Sequence, residues 1–436
     1  MVTSELERKF ADFRETGFPP HVRRDGAIHM VNHSVSVLAG ARRVGKSFYA
    51  MQAAEDLIAS RVIPDMSHVC HVDFDNPVFA SMTADVLPRI QSLFLKQNPS
   101  FTLRTPLVFV LDEIHRVSGW EDYVIDLSRN PSWRVIVTGS SARLLSKEIA
   151  TSLRGKSITT KISPLTFREF LRFKKLDPDG KSTRQTATIR AAFDEYLRCG
   201  SFPAIPNTPD FSKAALLHEY YDTMLLRDII QRHTIRAADD CVALYTYLLS
   251  CMAKPFTAKS AHTYLSHAGH KTGREAIASY IGFAEDAWML QTVPLYTDSP
   301  SQALRNYRKT YAIDWALATC NSATWDGSFS RAFENMIHSE LTRRFPRVRY
   351  ALTRETRKEV DFLADDSQGQ PALAAQVSLD ISDPDTLVRE VTPLLAVARY
   401  HHTPETLIIT YADERVIRQD GVTIRVVPAW RWLLDT

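Results

Sequence analysis

The segment Gly40–Ser47 reads GARRVGKS, and its two glycines before a lysine and a serine constrain the fold more than any other feature. Glycines let the backbone curl so that successive N–H groups face a phosphate, and a following helix adds its positive N-terminal end. Such a loop needs a strand before it and a helix after it. The β-branched run Ser34–Gly40 and the amphipathic stretch Ser47–Ala59 supply both in that order. The sequence therefore predicts a phosphate-binding loop.

We expect this loop and the first turn of the following helix to bind ATP. The Lys46 ammonium would reach the β- and γ-phosphates, and the Ser47 hydroxyl would bind Mg²⁺. The expected nucleotide-binding residues are Gly40, Ala41, Arg42, Arg43, Val44, Gly45, Lys46, Ser47 and Phe48.

The acids that complete such a site follow a second buried strand. In Leu107–His115, which reads LVFVLDEIH, five apolar residues lead to Asp112 and Glu113. Asp112 would hold Mg²⁺ together with Ser47, and Glu113 would orient or deprotonate the attacking water. An ordinary helix N-terminus also favours Asp and Glu, but the phosphate-binding loop upstream favours the catalytic interpretation.

Two further predicted strands end in polar residues. The segment Trp133–Ser141 ends in hydroxyls, so Ser140 or Thr138 is expected to contact the γ-phosphate or hold the lytic water. An earlier strand ends in Asp73 and Asp75. These two acids are either outer partners of the metal or turn formers, and the sequence leaves both interpretations open.

Length and composition exclude several classes of protein. A chain of 436 residues suggests about two to four domains, and its 44% apolar and 24% charged residues are ordinary for globular proteins. The sequence has no run of eighteen apolar residues and begins with no apolar signal core. Its five scattered cysteines contain no C-x-x-C pair. We therefore expect a cytoplasmic protein without a membrane segment, disulfide framework or zinc site.

The net charge of +3 is unevenly distributed. Residues 143–184 contain eleven Lys or Arg and four Asp or Glu, and residues 339–358 contain seven and two. Such asymmetry is typical of surfaces that bind polyanions, although charge runs also occur on solvated helix faces. DNA is therefore a candidate partner.

Together these motifs resemble a known family. GARRVGKS, DEI and GSS are followed by LRGK, PLTFREFL, GSFP, LLRDII, AFENMIHSEL, EVDF and TLVREV, as in AAA-type ATPases of bacteria and archaea that carry an uncharacterised C-terminal region. The resemblance implies an α/β fold with a P-loop AAA-type ATPase core, a helical lid, a winged helix and a C-terminal α/β domain like the PD-(D/E)XK restriction endonucleases. The implied boundaries are 1–163 for the core, 164–240 for the lid, 241–320 for the winged helix and 325–436 for a degenerate endonuclease-like domain.

One segment departs from that family, which usually has Gly-Arg where this chain has Gly155 and Lys156. The family arginine would act on the γ-phosphate across a subunit interface. Here Arg154 precedes the glycine, and a lysine cannot reproduce the bidentate guanidinium fork. We expect Arg154 rather than Lys156 to act on ATP held by a neighbouring copy, in a homo-oligomer.

The middle of the chain predicts the helix order of a winged helix. The helices are Cys241–Met252, Thr257–Ser266 and Gly273–Asp286, with strands after them. In a DNA-bound form the last helix would enter the major groove. Its exposed polar residues would be Lys271, Thr272, Arg274 and Ser279. A single arginine is little for phosphate contact, so a winged helix that only packs against neighbours stays open.

The C-terminal acids have the spacing of a nuclease core. Glu334 lies on a predicted helix, and Glu359 and Asp361 lie on a strand that follows the basic turn Arg354–Lys358. The next strand carries Gln376-Val377-Ser378 where a nuclease has an acid and, two residues later, a lysine. Without that acid and ammonium we expect no DNA cleavage, although Lys358 is a candidate replacement for the lysine.

Three hypotheses for function follow. The first is an ATP-hydrolysing, DNA-associated motor or switch; the second is a nucleotide-gated protein-interaction module; the third is an ATP-dependent nuclease. In the first, phosphate contacts would come from Lys271, Arg274, Arg343, Arg344, Arg347, Arg349, Arg354, Arg357 and Lys358.

Overall fold

The computed structural model describes residues 2–79, 85–140, 152–153, 155–297, 308–321 and 329–435. Contacts divide the chain into two compact units, Met1–Ser163 and Pro164–Thr436. Within the described ranges, no helix is long and apolar enough to cross a bilayer.

The first unit is built on a parallel sheet. Its strands are β1 (Val35–Ala39), β2 (Val69–Asp73), β3 (Leu107–Asp112), β4 (Trp133–Gly139) and β5 (Ser157–Lys161). They lie in the order β2-β3-β4-β1-β5, and each pairs in parallel with its neighbours. The central strands β1, β3 and β4 are buried almost throughout, as in parallel sheets covered on both faces. Because β1, β3 and β4 are consecutive in the sheet, the residues that follow them meet at one edge.

The α-helices in the described part of this unit are α1 (Val2–Thr16), α2 (Lys46–Ala59), α3 (Val86–Gln97) and α4 (Trp120–Ser128). The N-terminal helix α1 is held by aromatic packing, since the rings of Phe10 and Phe94 meet edge to face at 5.5 Å. The strand–loop–helix order predicted around the glycine-rich loop is confirmed by β1 and α2.

The second unit begins with helices. They are α5 (Phe167–Phe173), α6 (Thr183–Cys199), α7 (Asp210–Thr223), α8 (Ala238–Ser250), α9 (Ala258–His267) and α10 (Arg274–Asp286). Capping boxes at Thr166 and Ser182 fix the starts of α5 and α6. The three helices predicted between residues 241 and 286 are confirmed by α8, α9 and α10. Helix α7 continues into a π-helical segment, Met224–Gln231, that contains the LLRDII motif.

Two sheets follow in the second unit. The small antiparallel sheet has the order β6-β8-β7 and consists of β6 (Pro255–Phe256), β7 (Leu290–Pro294) and β8 (Arg308–Ala312). The larger sheet contains β9 (Arg347–Leu352), β10 (Glu359–Asp365), β11 (Pro371–Val377), β12 (Glu405–Thr410), β13 (Arg415–Gln419) and β14 (Val422–Pro428). Its order is β13-β14-β12-β11-β10-β9, with parallel pairs only at β11/β12 and β12/β14.

The remaining helices are α11 (Trp315–Asn321), α12 (Phe329–Arg344), α13 (Pro384–His401) and α14 (Ala429–Trp432). The apolar side of α13 packs on the larger sheet, where Val391, Leu394 and Ala398 join the core with Leu363 and Ile408. The two strands and the basic turn predicted for residues 348–366 are confirmed by β9 and β10.

The glycine of the GSFP motif is explained by one buried carboxylate. Asp314 is fully buried; its Oδ2 accepts hydrogen bonds from the Ser201 N–H (2.6 Å) and hydroxyl (2.8 Å), and its Oδ1 accepts from the Ala316 N–H at 2.9 Å. Gly200 has a φ of 83°, and a Cβ there would lie 2.2 Å from Asp314 Oδ1. Only glycine satisfies both the backbone angle and the close approach.

We expect Asp314→Asn to lower the free energy of unfolding by about 2–3 kcal/mol, because one oxygen that accepts a hydrogen bond would become a donor facing other donors. Urea denaturation followed by circular dichroism measures the change. Asp385→Asn, on an exposed residue of α13, is the matched control and should change stability by less than about 0.5 kcal/mol. Equal stability of the two variants would contradict this account of Asp314.

Candidate functional site

The loop between β1 and α2 depends on its two glycines. Gly45 has a φ of 92° and directly precedes α2. A Cβ on Gly40 would lie 2.1 Å from the carbonyl oxygen of Ile162, which follows β5. The backbone therefore curls tightly at Gly45 and passes against β5 at Gly40, as a phosphate-binding loop requires.

Lys46 is the charged residue at the centre of this site. It is buried, its Nζ donates to the Ala41 carbonyl oxygen at 2.9 Å, and it lies 3.3 Å from Glu113 Oε1. A buried ammonium must be paired, and one carboxylate with one loop carbonyl performs that task. The lysine and the glutamate predicted from separate motifs therefore meet.

Asp112 is fixed by hydroxyl groups on both sides. At the end of β3 it accepts hydrogen bonds from Thr138 on β4 and from Ser47 on α2. Burial raises the pKa of Asp112, and these two hydrogen bonds oppose that rise. The pairing of Ser47 with Asp112 brings together the two oxygen groups that the sequence assigned to Mg²⁺, which prefers such hard oxygen ligands.

The Thr138 hydroxyl on β4 contacts the two acids Asp112 and Glu113. It donates to Asp112 and accepts from the Glu113 N–H at 3.0 Å, so it fixes both acids. Ser140, just after β4, is buried, and its hydroxyl has no hydrogen-bond partner among the described residues. Of the two hydroxyls considered for the γ-phosphate, Ser140 is the one not already used by the acids.

Glu113 has an unusual backbone angle and lies beside charged side chains. Its φ of 51° is unusual for a residue with a side chain, and its carboxylate lies close to Lys46 and, at 3.3 Å, to His115 Nδ1. Burial opposes ionisation, but Lys46, His115 and Arg42 outweigh it and lower the pKa of Glu113. The side chain is thus a carboxylate held beside the loop lysine.

Arg24 holds the glycine-rich loop in place, and no sequence pattern predicted this role. Arg24 donates from one guanidinium nitrogen to the Val44 carbonyl oxygen and from the other to the Ser163 carbonyl oxygen, both at 2.8 Å. Its backbone pairs with the Gln52 side chain through two further hydrogen bonds. Arg24 lies in a segment without regular structure or motif, so no local pattern could have identified it.

The other expected residues are placed as follows. Val44 is buried, Arg42 is half-buried, and Arg43 and Phe48 are exposed. Arg43 adopts a φ of 65°. Arg154 lies outside the described residues, whereas Lys156 is exposed.

Asp73 and Asp75 have different contacts. Asp73 pairs in register with Asp112 across β2 and β3 and accepts a hydrogen bond from the Asp75 N–H. Burial raises the pKa of Asp73. Asp75 forms an ion pair with Arg116. Asp73 therefore lies beside the expected metal position, while Asp75 is a turn residue with its own partner.

The acids of the second unit surround a lysine that sequence reasoning missed. Lys309 on β8 is fully buried, and its Nζ lies 2.9 Å from Glu334, 2.7 Å from Glu359 and 3.4 Å from Asp361. Burial opposes its charge, but Glu334, Tyr311 and the other two acids outweigh it and hold the pKa of Lys309 well above its ordinary value. Lys358, the expected candidate, is exposed.

Gln376 and Ser378 do not complete this acidic centre. Gln376 Oε1 accepts from the Asp361 N–H at 3.1 Å and its Nε2 donates to Glu390 at 2.6 Å, so its carbonyl oxygen is used within the sheet. The Ser378 hydroxyl donates to the Asp380 carbonyl oxygen. Among the described side chains, no group of three or more His, Cys, Asp or Glu is arranged to hold a metal ion.

Several residues expected at a DNA surface are engaged inside the second unit. Arg343 pairs with Glu340 and donates to the Pro164 carbonyl oxygen, and Arg344 pairs with Glu340 and stacks on Trp432. Thr272, expected to be exposed, is buried and donates to Asp240. The expectation of exposure was wrong for Thr272 because this hydroxyl holds the start of α10 against α8.

Other basic residues are accessible. Arg349 pairs with the buried Asp365, whereas the exposed residues are Lys271, Arg274, Arg347, Arg354, Arg357 and Lys358. Among these, Arg354 stacks over the Tyr400 ring, its guanidinium carbon 3.8 Å from the ring centre.

The parallel sheet and the curled glycine loop before α2 are the features of a P-loop domain. Residues 32–171 match the family model described as "AAA domain", and residues 190–324 match a domain of unknown function, DUF8612. The first unit therefore carries an AAA-type P-loop domain, the class to which nucleotide-binding ATPases belong. The second match crosses the boundary expected at residue 240.

The chain is similar to two uncharacterized proteins over nearly its whole length. One, from Methanocaldococcus jannaschii, is 27% identical over 95% of this chain and 91% of its own length. Another, from Haemophilus influenzae, is 25% identical over 91% of this chain and 94% of its own length.

Solved structures resemble the chain only loosely. C. elegans PCH-2 matches with a TM-score of 0.26 at 12% identity, over 40% of this chain and 45% of that one. DnaA from Aquifex aeolicus bound to AMPPCP matches with a TM-score of 0.26 at 13% identity, over 64% and 86%. Scores this low carry no further conclusion.

We expect Thr138→Val to weaken the site, because the isosteric methyl can neither donate to Asp112 nor accept from the Glu113 N–H. The free energy of unfolding should fall by about 1–3 kcal/mol, measured by urea denaturation. Thr138→Ser retains the hydroxyl and is the matched control; it should recover most of the loss. A valine variant as stable as wild type would show that the hydroxyl does not fix the acids.

Proposed function

We propose that the first unit binds ATP with Mg²⁺ and hydrolyses it, and that nucleotide turnover drives a DNA-associated switch. The observation that carries the proposal is the convergence of Lys46, Ser47, Asp112 and Glu113 at one edge of the parallel sheet. Four side chains from two sequence motifs meet as phosphoryl transfer requires: a phosphate ligand, two oxygen ligands for a metal, and an acid beside them.

The residues present fit both the ATP phosphates and Mg²⁺. Lys46 and the N–H groups of the curled loop would hold the phosphates, and Ser47 and Asp112, already hydrogen-bonded to each other, would hold Mg²⁺. When bound, Mg²⁺ supplies charge that neutralises the phosphate oxygens. Ser140, buried without a partner among the described residues, would donate to the γ-phosphate or the attacking water.

The ion pair between Lys46 and Glu113 suggests how the acid is controlled. While Lys46 pairs with it, the Glu113 carboxylate is a poor proton acceptor, since an ammonium 3.3 Å away stabilises its charge. Phosphates would compete for Lys46 and draw it away. Glu113 is then released to accept a proton from water, so that the base becomes active only when nucleotide is bound.

We expect Lys46→Ala to abolish Mg²⁺-dependent ATP hydrolysis by weakening binding. Glu113→Gln should bind ATP at least as tightly as wild type, since Lys46 loses a competing partner, yet turn over about 10²–10⁴-fold more slowly because an amide cannot accept the proton. Phosphate release and binding of a fluorescent ATP analogue measure the two effects separately. Glu121→Gln, on α4, is the matched control.

Two results would contradict these roles. Equal turnover by wild type and Glu113→Gln would remove Glu113 as the base. Weaker ATP binding by Glu113→Gln would show that the carboxylate supports the loop rather than competing for Lys46.

The DNA-associated part of the proposal rests on a cleft in the second unit. This cleft of about 620 Å³ lies between the β9–β10 turn and α13 and is lined by Tyr296, Arg354, Thr356, Arg357, Tyr400 and His401. Arginines beside aromatic rings suit a nucleic-acid strand, because cations bind phosphates and rings stack with bases. Because Arg343 and Arg344 have internal partners, we leave them out of the proposed surface.

We expect the triple reversal Arg354→Glu, Arg357→Glu and Lys358→Glu to weaken DNA binding for all sequences alike. For every phosphate that is no longer neutralised, the slope of log K against log salt should flatten by about 0.9 for duplex and about 0.7 for single strands. Fluorescence anisotropy at several salt concentrations measures both the affinity and this slope. Lys175→Glu, Lys181→Glu and Arg184→Glu reverse three exposed charges elsewhere in the unit and form the control.

Unchanged DNA affinity in the first triple variant would show that DNA binds to another surface. Equal weakening of DNA binding in the two triple variants would indicate a diffuse charge effect. If DNA also leaves the ATPase rate unchanged, the alternative of a nucleotide-gated protein-interaction module is favoured. Action of Arg154 within a homo-oligomer, cytoplasmic location and the absence of nuclease activity stay predictions.

A further inference from the structure

Three carboxylates converge on one ammonium group in the second unit. Lys309 Nζ lies 2.7 Å from Glu359 Oε1, 2.9 Å from Glu334 Oε1 and 3.4 Å from Asp361 Oδ1, and the lysine side chain is 0% exposed. Carboxylate oxygens surround divalent cations in the same way, at about 2.0–2.6 Å. Three carboxylate oxygens therefore surround the ammonium, at contacts longer than those of a metal ion.

The charges of this centre do not balance. Glu334, Glu359 and Asp361 supply three carboxylates and Lys309 supplies one ammonium. Burial raises the pKa of Glu334 to about 7, against the opposing effect of Lys309. A centre this rich in carboxylates requires a cation, and without Lys309 no other ammonium or guanidinium among the described residues forms an ion pair with Glu334.

Two of the three carboxylates also accept hydrogen bonds from groups other than Lys309. The Tyr311 hydroxyl donates to Glu334 Oε1 at 2.7 Å, and the Val377 N–H donates to Asp361 Oδ2 at 2.9 Å. Both donors belong to strands, β8 and β11. Glu334 and Asp361 would therefore keep their positions if the ammonium were removed, and movements of under about 1 Å would bring their oxygens to metal-binding distance.

We propose that Lys309 acts as a built-in cation in place of a divalent metal: it fills the centre formed by Glu334, Glu359 and Asp361, excludes metal ions from it, and joins β8 to β10 and α12. Removing the ammonium therefore opens a divalent-cation site. The inference concerns the second unit alone and does not rest on the proposed ATPase activity.

The test compares Lys309→Met with wild type in the full chain without nucleotide, so that the phosphate-binding loop has no nucleotide to help it hold metal. Methionine is unbranched and only one atom shorter than lysine, and it removes the charge. In EDTA, we expect Tm of the variant to fall by roughly 5–15 °C, because the buried Asp361 and the partly buried Glu334 and Glu359 lose their cation. Calcium chloride should recover most of that loss in the variant and leave wild type unchanged. Lys259→Met, on an exposed residue of α9, is the matched control.

Terbium luminescence excited through tyrosine provides a direct readout of binding. Lys309→Met should give a saturable Tb³⁺ signal that calcium displaces, since Tyr311 lies against Glu334, and wild type should give none at this centre. Adding Asp361→Asn to Lys309→Met should remove both the signal and the calcium effect. If Lys309→Met does not fold, the double variant Lys309→Met with Glu359→Gln carries less repulsion and keeps Glu334 and Asp361 as ligands.

Either of two results would overturn the proposal. Calcium that stabilises wild type, with the effect lost in Asp361→Asn, would show that metal binds while Lys309 is present. A Lys309→Met variant, or its double variant, that folds and responds to calcium and Tb³⁺ no more than wild type would show that the centre is an ordinary ion-pair cluster.

Discussion

The cost of removing an ammonium group from water is the constraint on which both centres of this protein depend. Lys46 and Lys309 are each buried, and a buried charge is tolerated only with well-placed counter-charges. Lys46 has one carboxylate and one carbonyl group, at 3.3 Å and 2.9 Å. Lys309 has three carboxylates. In the proposed function the first arrangement lets Lys46 exchange Glu113 for a phosphate, whereas three carboxylates hold Lys309 in place.

The same constraint explains why charge along the sequence did not map onto a surface. Residues 339–358 are rich in arginine, yet Arg343 and Arg349 balance the buried acids Glu340 and Asp365. Arg344 also pairs with Glu340 and covers Trp432 with its planar group. Arg347 and the turn Arg354–Lys358 present their charges to solvent as the composition suggested. Internal ion pairs therefore neutralise much of the positive charge of this segment, and that charge is not available to a binding partner.

Fixed polar contacts position both acidic sites. In the first unit, Thr138 bonds to the neighbouring acids Asp112 and Glu113 across the parallel sheet. In the second, Tyr311 and the Val377 N–H hold the acids around Lys309. Groups held in this way keep their geometry when a charge beside them changes, which is the property a binding site requires.

The sequence by itself determined the features that depend on neighbouring residues. The glycine-rich loop, the strands before Asp112 and Ser140, and the capped helices α5 and α6 were predictable because turn chemistry and apolar periodicity act over a few residues. Glu359 and Asp361 were likewise found from their spacing on one strand.

Only the tertiary structure decided which distant groups would share a buried position. Lys309 reaches Asp361 across 52 residues, Arg24 reaches Ser163 across 139, and Asp314 reaches Ser201 across 113. None of these pairings leaves a periodic or motif signal in the sequence. The order of the strands brings these residues together. Every buried charge and donor must have a partner, and a residue becomes buried only when the chain folds, so the sequence alone does not show which partner it takes.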